Sequence, residues 1–322
     1  MILLVTGASG FVGRELVASL AAEGITGTAT GRMPPPVAVR GWQACGRAAV
    51  LAESPAPGST PEAIVHLEVK QHVPRPTAAD VAEFEAVNVG GTREWLDWAA
   101  RNGVPRFVLV SSIKAVAPGP GPMTEDALPE RSSPYGRSKA EAEQAVRGWA
   151  AADDRRSAVI LRPAPVYGPG NEANLAAFVR QILASKPCLI GAGATRKSVV
   201  SRRNLCAAIA FATTRVGPGC HVFNVSDPAT VSLADLATTI ADLGGAPPPR
   251  RIPDWLATLA APVGDAVEAV TGRDFPLTSA RLRAIRETTI FPCDRLLAAG
   301  FRHPQTTRDG LAEMVAWASQ PR

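Results

Sequence analysis

The chain is poor in lysine and in phenols: its 322 residues include five lysines and two tyrosines. It therefore lacks the basic run that would mark a nucleic-acid tail. Its formal charge of +5 and pI near 9.2 come from scattered arginines, which read as a solvated surface, and no nucleic-acid partner is expected. The five cysteines, at positions 45, 188, 206, 220 and 293, form no C-x-x-C pair and have no partnering histidine cluster. Neither a metal site nor a disulfide framework is expected, and a reducing, cytoplasmic location fits. Long apolar runs are missing too. The longest tract, "WLATLAAPVGDAVEAV", carries Asp265, Glu268 and a proline, falls short of the ~20 clean residues of a membrane span, and reads as an amphipathic or buried helix. The opening "MILLVTGASG" has no basic segment before its short apolar run, which predicts no secretory signal. There is no internal repeat.

What the chain does have is a hydrophobic content of 46%, enough for a proper core in one large or two modest domains. "ILLV" at 2–5 reads as a strand buried on both faces. "FVGRELVASLAAEG" puts Val12, Leu16, Ser19 and Leu20 on one helical face and ends at Gly24, a helix C-cap. Further strands are expected at about 26–30, 63–67, 107–111 and 158–161, alternating with helices near 80–102 and 135–152. This β-then-α order predicts an α/β fold with a doubly wound parallel sheet. Residues 33–62 predict irregular chain, with a degenerate strand near "AAVLA". Beyond about 163 prolines multiply, and "NLAAFVRQILAS" and "SLADLATTIADLG" read as separate helices. The expected division is a cofactor domain over 1–165, completed by part of 198–226, and a smaller substrate-binding region over 166–197 and 227–322.

"VTGASGFVG" places Gly7, Gly10 and Gly13 between the first strand and the first helix. The first permits a tight turn, the second lets the backbone approach a pyrophosphate, and the third allows helix and strand to pack closely; Ser9, Phe11 and Val12 complete the loop. At the end of the second strand, "TATGR" lacks the acidic residue that would hold the ribose 2′-hydroxyl of NAD. Gly31 leaves room and Arg32 follows, which suits a 2′-phosphate and favours NADP over NAD.

"SSPYGRSKAEAEQAV" sets Tyr135 and Lys139 one helical turn apart, on the same face. A free phenol has a pKa near ~10, and an adjacent ammonium is expected to lower it into a useful range. The strand "RFVLVSSIKAV" ends in Ser111 and Ser112 at the ligand-binding edge of the sheet. A hydroxyl there can hold the substrate oxygen that gains or loses a proton while a nicotinamide moves a hydride at the same carbon, which suits carbonyl and alcohol chemistry.

These stretches, with "IVHL" at 64–67, "NVGGT" at 88–92, "FVLVSS" and "LRPAPVYGPGN", resemble the extended short-chain dehydrogenases/reductases over nearly the whole chain. Within them the chain is similar to the NAD-dependent epimerase/dehydratase group, which acts on nucleotide sugars. The resemblance implies Tyr135 as catalytic acid/base and Lys139 as its pKa modifier and a ligand of the nicotinamide ribose. Ser112 would be the hydroxyl partner, with Ser111 the alternative. His66 and Leu67 would line the cofactor path, the competing reading for His66 being a packed strand-end histidine. Asn88 would brace the site, Pro163 would lie near the carboxamide, and Asn174 and Arg196 would hold a nucleotide diphosphate. A homodimer through helices of the cofactor domain is also implied, including the helix of Tyr135.

The departures from that pattern are specific. Glu68, Val69 and Lys70 stand where the family has small residues, and would reshape the cofactor edge or form a local ion pair. Arg202 and Arg203 replace apolar and acidic residues and read as surface. Ile113 and Lys114 occupy the places of the acidic pair that dehydratases use, so water elimination is disfavoured, and "IKAVAPGPGP" lacks the usual aromatic of the sugar-facing wall. Reduction or oxidation at C4 of a nucleotide-activated sugar is the leading expectation, through Arg32. The alternatives are a 4-epimerase that recycles a tightly held NAD, a dehydrogenase of steroid-like or flavonoid-like alcohols, and a non-catalytic NADP sensor. The retained Tyr135 and Lys139 weigh against the sensor.

Overall fold

A computed structural model of the protein describes residues 1–34, 39–119, 121–172, 174–272, 275 and 277–320. Seven short runs build one sheet: β1 (Ile2–Thr6), β2 (Thr26–Gly31), β3 (Trp42–Gly46), β4 (Ala63–His66), β5 (Arg106–Val110), β6 (Ser157–Pro163) and β7 (Gly219–Val225). Their spatial order is β7-β6-β5-β4-β1-β2-β3, and every neighbouring pair is parallel. The order reverses between β1 and β4, and ligands bind at such switch points, beyond the carboxyl ends of the strands.

The strands are apolar on both faces because helices cover both. Leu4, Ile64, Phe107, Leu109 and Ile160 share one core with Trp95, Trp98, Val146 and Trp149 of α4 (Gly91–Arg101) and α5 (Pro134–Ala151). The alternate residues Leu3, Val5, Val65, Val108 and Val159 are buried on the opposite face, where α1 (Phe11–Ala22) and α7 (Arg202–Thr214) pack. On α1 the buried face is Gly13, Leu16, Val17 and Leu20. The helix is thus turned from the expected face, and Val12 and Ser19 lie half-buried at its rim. Gly24 follows the helix in the left-handed region, φ +76°, as a terminating glycine should.

Two expectations fail for local reasons. "AAVLA" is not a strand but most of α2 (Arg47–Ala52), as its alanine and leucine content and lack of alternation favour. The edge strand comes earlier, at β3, where the buried Trp42 donates its indole N–H to the Ile25 carbonyl at 2.9 Å. The single helix expected over 80–102 is three pieces: α3 (Ala78–Glu83) behind a Thr77–Asp80 capping box, a π-helical segment Phe84–Gly90, and α4. The wider π turn brings Phe84, Asn88 and Val89 all to the buried side.

The polypeptide packs as two units. The first comprises residues 1–166, 202–226 and 291–304 and contains the seven-stranded sheet and α11 (Asp294–Ala298). The second comprises 167–201, 227–290 and 305–322. Its main core joins α6 (Asn174–Leu183), α8 (Leu233–Gly244) and α12 (Thr307–Ala318) through Val179, Ile182, Leu236, Ile240, Leu311 and Met314. A smaller cluster joins α9 (Asp254–Thr271) to α10 (Ser279–Arg286) through Ala257, Ala261 and Leu282. The Tyr167 hydroxyl, buried in the second unit, donates to Asp227 Oδ2 at 2.7 Å, while Asp227 Oδ1 accepts from the Ser201 amide at 2.9 Å.

Helix α5 matters most for the site. Ser133 caps it, its Oγ accepting from the Gly136 amide at 3.2 Å, and Pro134 fills the first helical position, where a missing N–H costs nothing. A Cβ on Gly136 would run into the Lys114 carbonyl and the Glu130 side chain. Only glycine lets this first turn lie on the 3₁₀ turn Ile113–Ala115 that follows β5. Gly148, on the same helix, has open space around it. Gly136→Ala should therefore destabilise the protein by about 1–3 kcal/mol through overpacking, and Gly148→Ala should stabilise it by about 0.5–1 kcal/mol. Urea unfolding midpoints of the two variants check this, and equal effects would contradict the packing described.

Candidate active site

The glycine loop leaves β1 through Gly7, φ +65°, where a Cβ would lie 2.8 Å from both the Leu67 carbonyl carbon and the Glu68 amide. Gly13 brings α1 against the loop, since a Cβ there would be 2.5 Å from the Gly7 carbonyl oxygen. Gly10 is the N-cap of α1. It offers no capping side chain, and the first turn contains no acidic residue. The leading amides of α1 are thus left for an anion, with Ser9, Phe11 and Val12 around them, and this donor set fits a dinucleotide pyrophosphate. Arg32 is exposed just beyond β2 and makes no hydrogen bond or ion pair among the described residues.

Tyr135 and Ser112 meet at the end of β5. The phenol is buried, edge-on to Phe84 at 5.6 Å and to His72 at 5.5 Å between ring centres. Burial pushes its pKa up, and a hydrogen bond with the Ser112 side chain opposes this. Lys139 does not lower it. Its Nζ turns inward to donate to the Val110 carbonyl at 3.0 Å, so the expected phenol–ammonium coupling is replaced by burial as the dominant effect on the tyrosine. Lys139 is itself fully buried, which pushes its pKa down to about 8, against the pull of the Glu143 carboxylate one turn further along α5.

Ser111 has a different task from Ser112. Its hydroxyl donates to Glu143 Oε1 at 2.7 Å, and Glu143 also receives Arg162 through Nε at 2.9 Å and Nη2 at 2.6 Å. This buried pair ties α5 to β6 behind the lysine. The spacing Tyr135, Lys139, Glu143 is i, i+4, i+8, so helical periodicity could have singled out Glu143 along with the other two.

His66 is buried at the end of β4 with both ring nitrogens bonded. Its Nδ1 accepts from Thr6 Oγ1 at 2.8 Å, and its Nε2–H donates to Thr92 Oγ1 at 3.2 Å. Thr92 passes its own proton to the Asn88 carbonyl at 2.7 Å, and Thr6 Oγ1 accepts from the Leu67 amide at 3.2 Å, which fixes the neutral tautomer. Burial first, then the charges of Lys139 and Arg47, push its pKa down to about 3. The Asn88 amide donates to Ser138 Oγ at 2.9 Å and its Oδ1 accepts from the Lys70 amide at 2.8 Å. Ser138 in turn donates to the Tyr135 carbonyl at 2.8 Å. Asn88 therefore braces the tyrosine turn.

The substituted segment after Leu67 forms local ion pairs. Glu68 meets Arg47 at 3.1 Å and accepts the Trp95 indole N–H at 3.0 Å, while Lys70 meets Asp80 at 3.0 Å and also Glu83. Arg202 pairs with Glu15 at 2.9 Å over the Phe11 ring, and Arg203 is exposed. The first unit thus brings together the glycine loop, Leu67, Asn88, Ser111, Ser112, Tyr135, Lys139 and the buried Pro163 at the carboxyl ends of its strands. Arg196 belongs to the second unit, exposed, with Nη2 on the Thr230 carbonyl at 2.9 Å. Asn174 opens α6, and its side chain lies outside the described residues.

Comparison with known proteins gives the family and the fold. Residues 3–226 match the model of the NAD dependent epimerase/dehydratase family. The chain is 29% identical over 227 residues to an Escherichia coli O157:H7 N-acetyl-alpha-D-glucosaminyl-diphospho-ditrans,octacis-undecaprenol 4-epimerase, covering 70% of this chain and 69% of that one. It is 30% identical over 270 residues to a Stigmatella aurantiaca 4-hydroxy-2-methyl-3-oxo-4-farnesyl-3,4-dihydroquinoline-1-oxide ketoreductase, covering 82% and 79% of the two chains. The fold is that of the Bacillus cereus UDP-glucuronic acid 4-epimerase, solved with UDP-glucuronic acid and NAD, at a TM-score of 0.74, 17% identity and 99% coverage of both chains.

The His66 network has a pH consequence. The folded midpoint near 3 lies below the ordinary 6.5, so the unfolded chain takes up the proton first, and this site withdraws stability as pH falls from 6.5 towards 3. Imidazole NMR of the folded protein should find His66 as the neutral Nε2–H tautomer throughout the range in which an ordinary histidine titrates, around ~6.5. A midpoint near that value would contradict the network.

Proposed function

The chain belongs to the NAD dependent epimerase/dehydratase family, and from that premise we propose that it reduces or oxidises C4 of a nucleotide-activated sugar. The observation that carries this reading is the buried phenol of Tyr135, close enough to the Ser112 side chain at the carboxyl end of β5 to feel it, in the unit that also holds the glycine loop. When bound, a nicotinamide dinucleotide supplies hydride exchange at the sugar carbon.

The chain's own residues supply the rest. The leading amides of α1 hold the pyrophosphate, and Leu67, Asn88 and Pro163 border the same strand ends. Tyr135 Oη gives a proton to the C4 oxygen in reduction and takes it back in oxidation, while Ser112 Oγ holds that oxygen in place. Lys139, kept cationic at neutral pH with Glu143 behind it, reaches the nicotinamide ribose. Residues 1–165 with part of 198–226 serve the cofactor. Residues 166–197 and 227–322 serve the substrate, with Asn174 and Arg196 as the expected ligands of its diphosphate. The protein works in the cytoplasm as a homodimer through helices of the cofactor domain, including α5.

Cofactor choice follows from Arg32, an exposed guanidinium beyond β2 where an NAD-binding chain would carry a carboxylate, and NADP is the preferred dinucleotide. A 4-epimerase with retained NAD is the second reading, favoured by the likeness to the E. coli 4-epimerase. The nucleotide itself separates the two. Freshly purified protein, denatured and chromatographed, should release no NAD(H), and the emptied protein should bind NADPH about tenfold or more tightly than NADH, a preference worth about 1.4 kcal/mol. Arg32→Ala should remove that preference. Release of NAD(H) that had resisted dialysis would instead support the epimerase and make Arg32 a bystander.

A further inference from the structure

Helix α9 is built inside out. Its small residues, Ala257, Ala261 and Gly264, are the buried ones. Its large apolar residues face outward: Trp255 is 65% exposed, Leu259 67%, Val263 61% and Val270 86%, with Leu256 and Ala266 exposed beside them. Positions 255, 259, 263, 266 and 270 advance by four, four, three and four residues, so they form one continuous stripe along an 18-residue helix, about 27 Å long. A patch of this kind on a soluble unit marks an interaction surface. The segment does not span a bilayer, since no described helix is long and apolar enough to cross a membrane.

Charge around the stripe discriminates between partners. Each carboxylate of α9 is engaged by a neighbouring group: Asp254 with Arg286 at 2.9 Å, Asp265 with the Ser279 amide at 3.0 Å, and Glu268 with the Phe275 amide at 2.8 Å. One edge of the stripe is basic. Arg286 reaches Thr258 Oγ1 at 2.6 Å, and Arg283, exposed on the same helix α10, makes no side-chain hydrogen bond or ion pair among the described residues. Arg250 and Arg251 are exposed in the segment just before the helix begins, with the Arg251 guanidinium donating to the Gly191 and Ala192 carbonyls. An apolar stripe with a tryptophan, whose neighbouring carboxylates are engaged and whose adjoining segments carry exposed guanidinium groups, has the character of a helix that lies in the plane of a membrane interface. A second copy of the chain would set the same arginines against each other in a two-fold pairing, which like-charge repulsion disfavours.

We propose that the outward face of α9 docks this protein on an anionic bilayer surface, with Trp255, Leu259, Val263 and Val270 in the headgroup boundary and the exposed Arg250 and Arg283 on the acidic lipids. The proposal is independent of the oxidoreductase reading, because it concerns binding alone. The full chain is centrifuged with vesicles of phosphatidylcholine, or of phosphatidylcholine with one third phosphatidylglycerol. The expected result is co-sedimentation with the anionic vesicles, weakened by salt, and at least tenfold weaker for Trp255→Glu/Leu259→Glu and for Arg250→Glu/Arg283→Glu. These side chains are exposed, so the thermal midpoint should stay near that of the parent. No preference for anionic vesicles overturns the proposal, as does unchanged binding by both variants. A dimer in sedimentation velocity that Trp255→Glu/Leu259→Glu dissociates would overturn it in favour of a second copy.

Discussion

Lys139 carries its ammonium group into the interior, where a charge persists only with acceptors and a counter-charge close by. The Val110 carbonyl is the acceptor and Glu143, one turn along the helix, is the counter-charge. Glu143 is in turn held by Arg162 of β6 and by the Ser111 hydroxyl. The consequence is geometric. To keep this buried set satisfied, α5 must lie in one register on β5 and β6, and that register puts Tyr135 beside Ser112. Removing one member of such a pair leaves an uncompensated charge at a cost of about 3–5 kcal/mol, so the arrangement is held by what it would cost to break it.

The nearby imidazole is kept neutral. His66 sits between Thr6 and Thr92 with both ring nitrogens occupied, so it adds no positive charge near the lysine. Thr92 and Asn88 belong to the π-helical segment and the start of α4, and through Ser138 they reach the turn that carries Tyr135. Phe84 and Asn88 would share a face of an ordinary helix as well; the wider turn adds Val89 to that buried face. One side of the tyrosine is therefore packed by an aromatic ring, and its backbone is anchored by an amide.

Much of this was legible in the amino-acid sequence, for identifiable reasons. The glycine loop, the parallel order and the Tyr135–Lys139 face follow from spacing alone, because glycine positions and helical periodicity report directly on local geometry. The edge strand Trp42–Gly46 was displaced onto "AAVLA", since a sheet edge needs one buried anchor, Trp42, rather than alternation. The π-helical break was invisible because it has no spacing signature that separates it from an ordinary helix. The direction of the Tyr135 pKa was misjudged as well: i, i+4 spacing says that two side chains share a face, but not that the lysine turns its amine to a backbone carbonyl. The inverted polarity of α9 was masked by composition, which is the same whichever face is buried.

The account turns on the Tyr135 phenol as the proton carrier. The most direct test is nicotinamide oxidation or reduction in the presence of UDP- and dTDP-sugars, followed by absorbance, in the parent protein and in Tyr135→Phe, with dinucleotide affinity measured alongside. Loss of the phenol should slow turnover by about 10²–10⁴-fold, the usual contribution of a positioned acid or base, and leave the dinucleotide bound with nearly unchanged affinity. Full turnover in the phenylalanine variant would contradict the assignment.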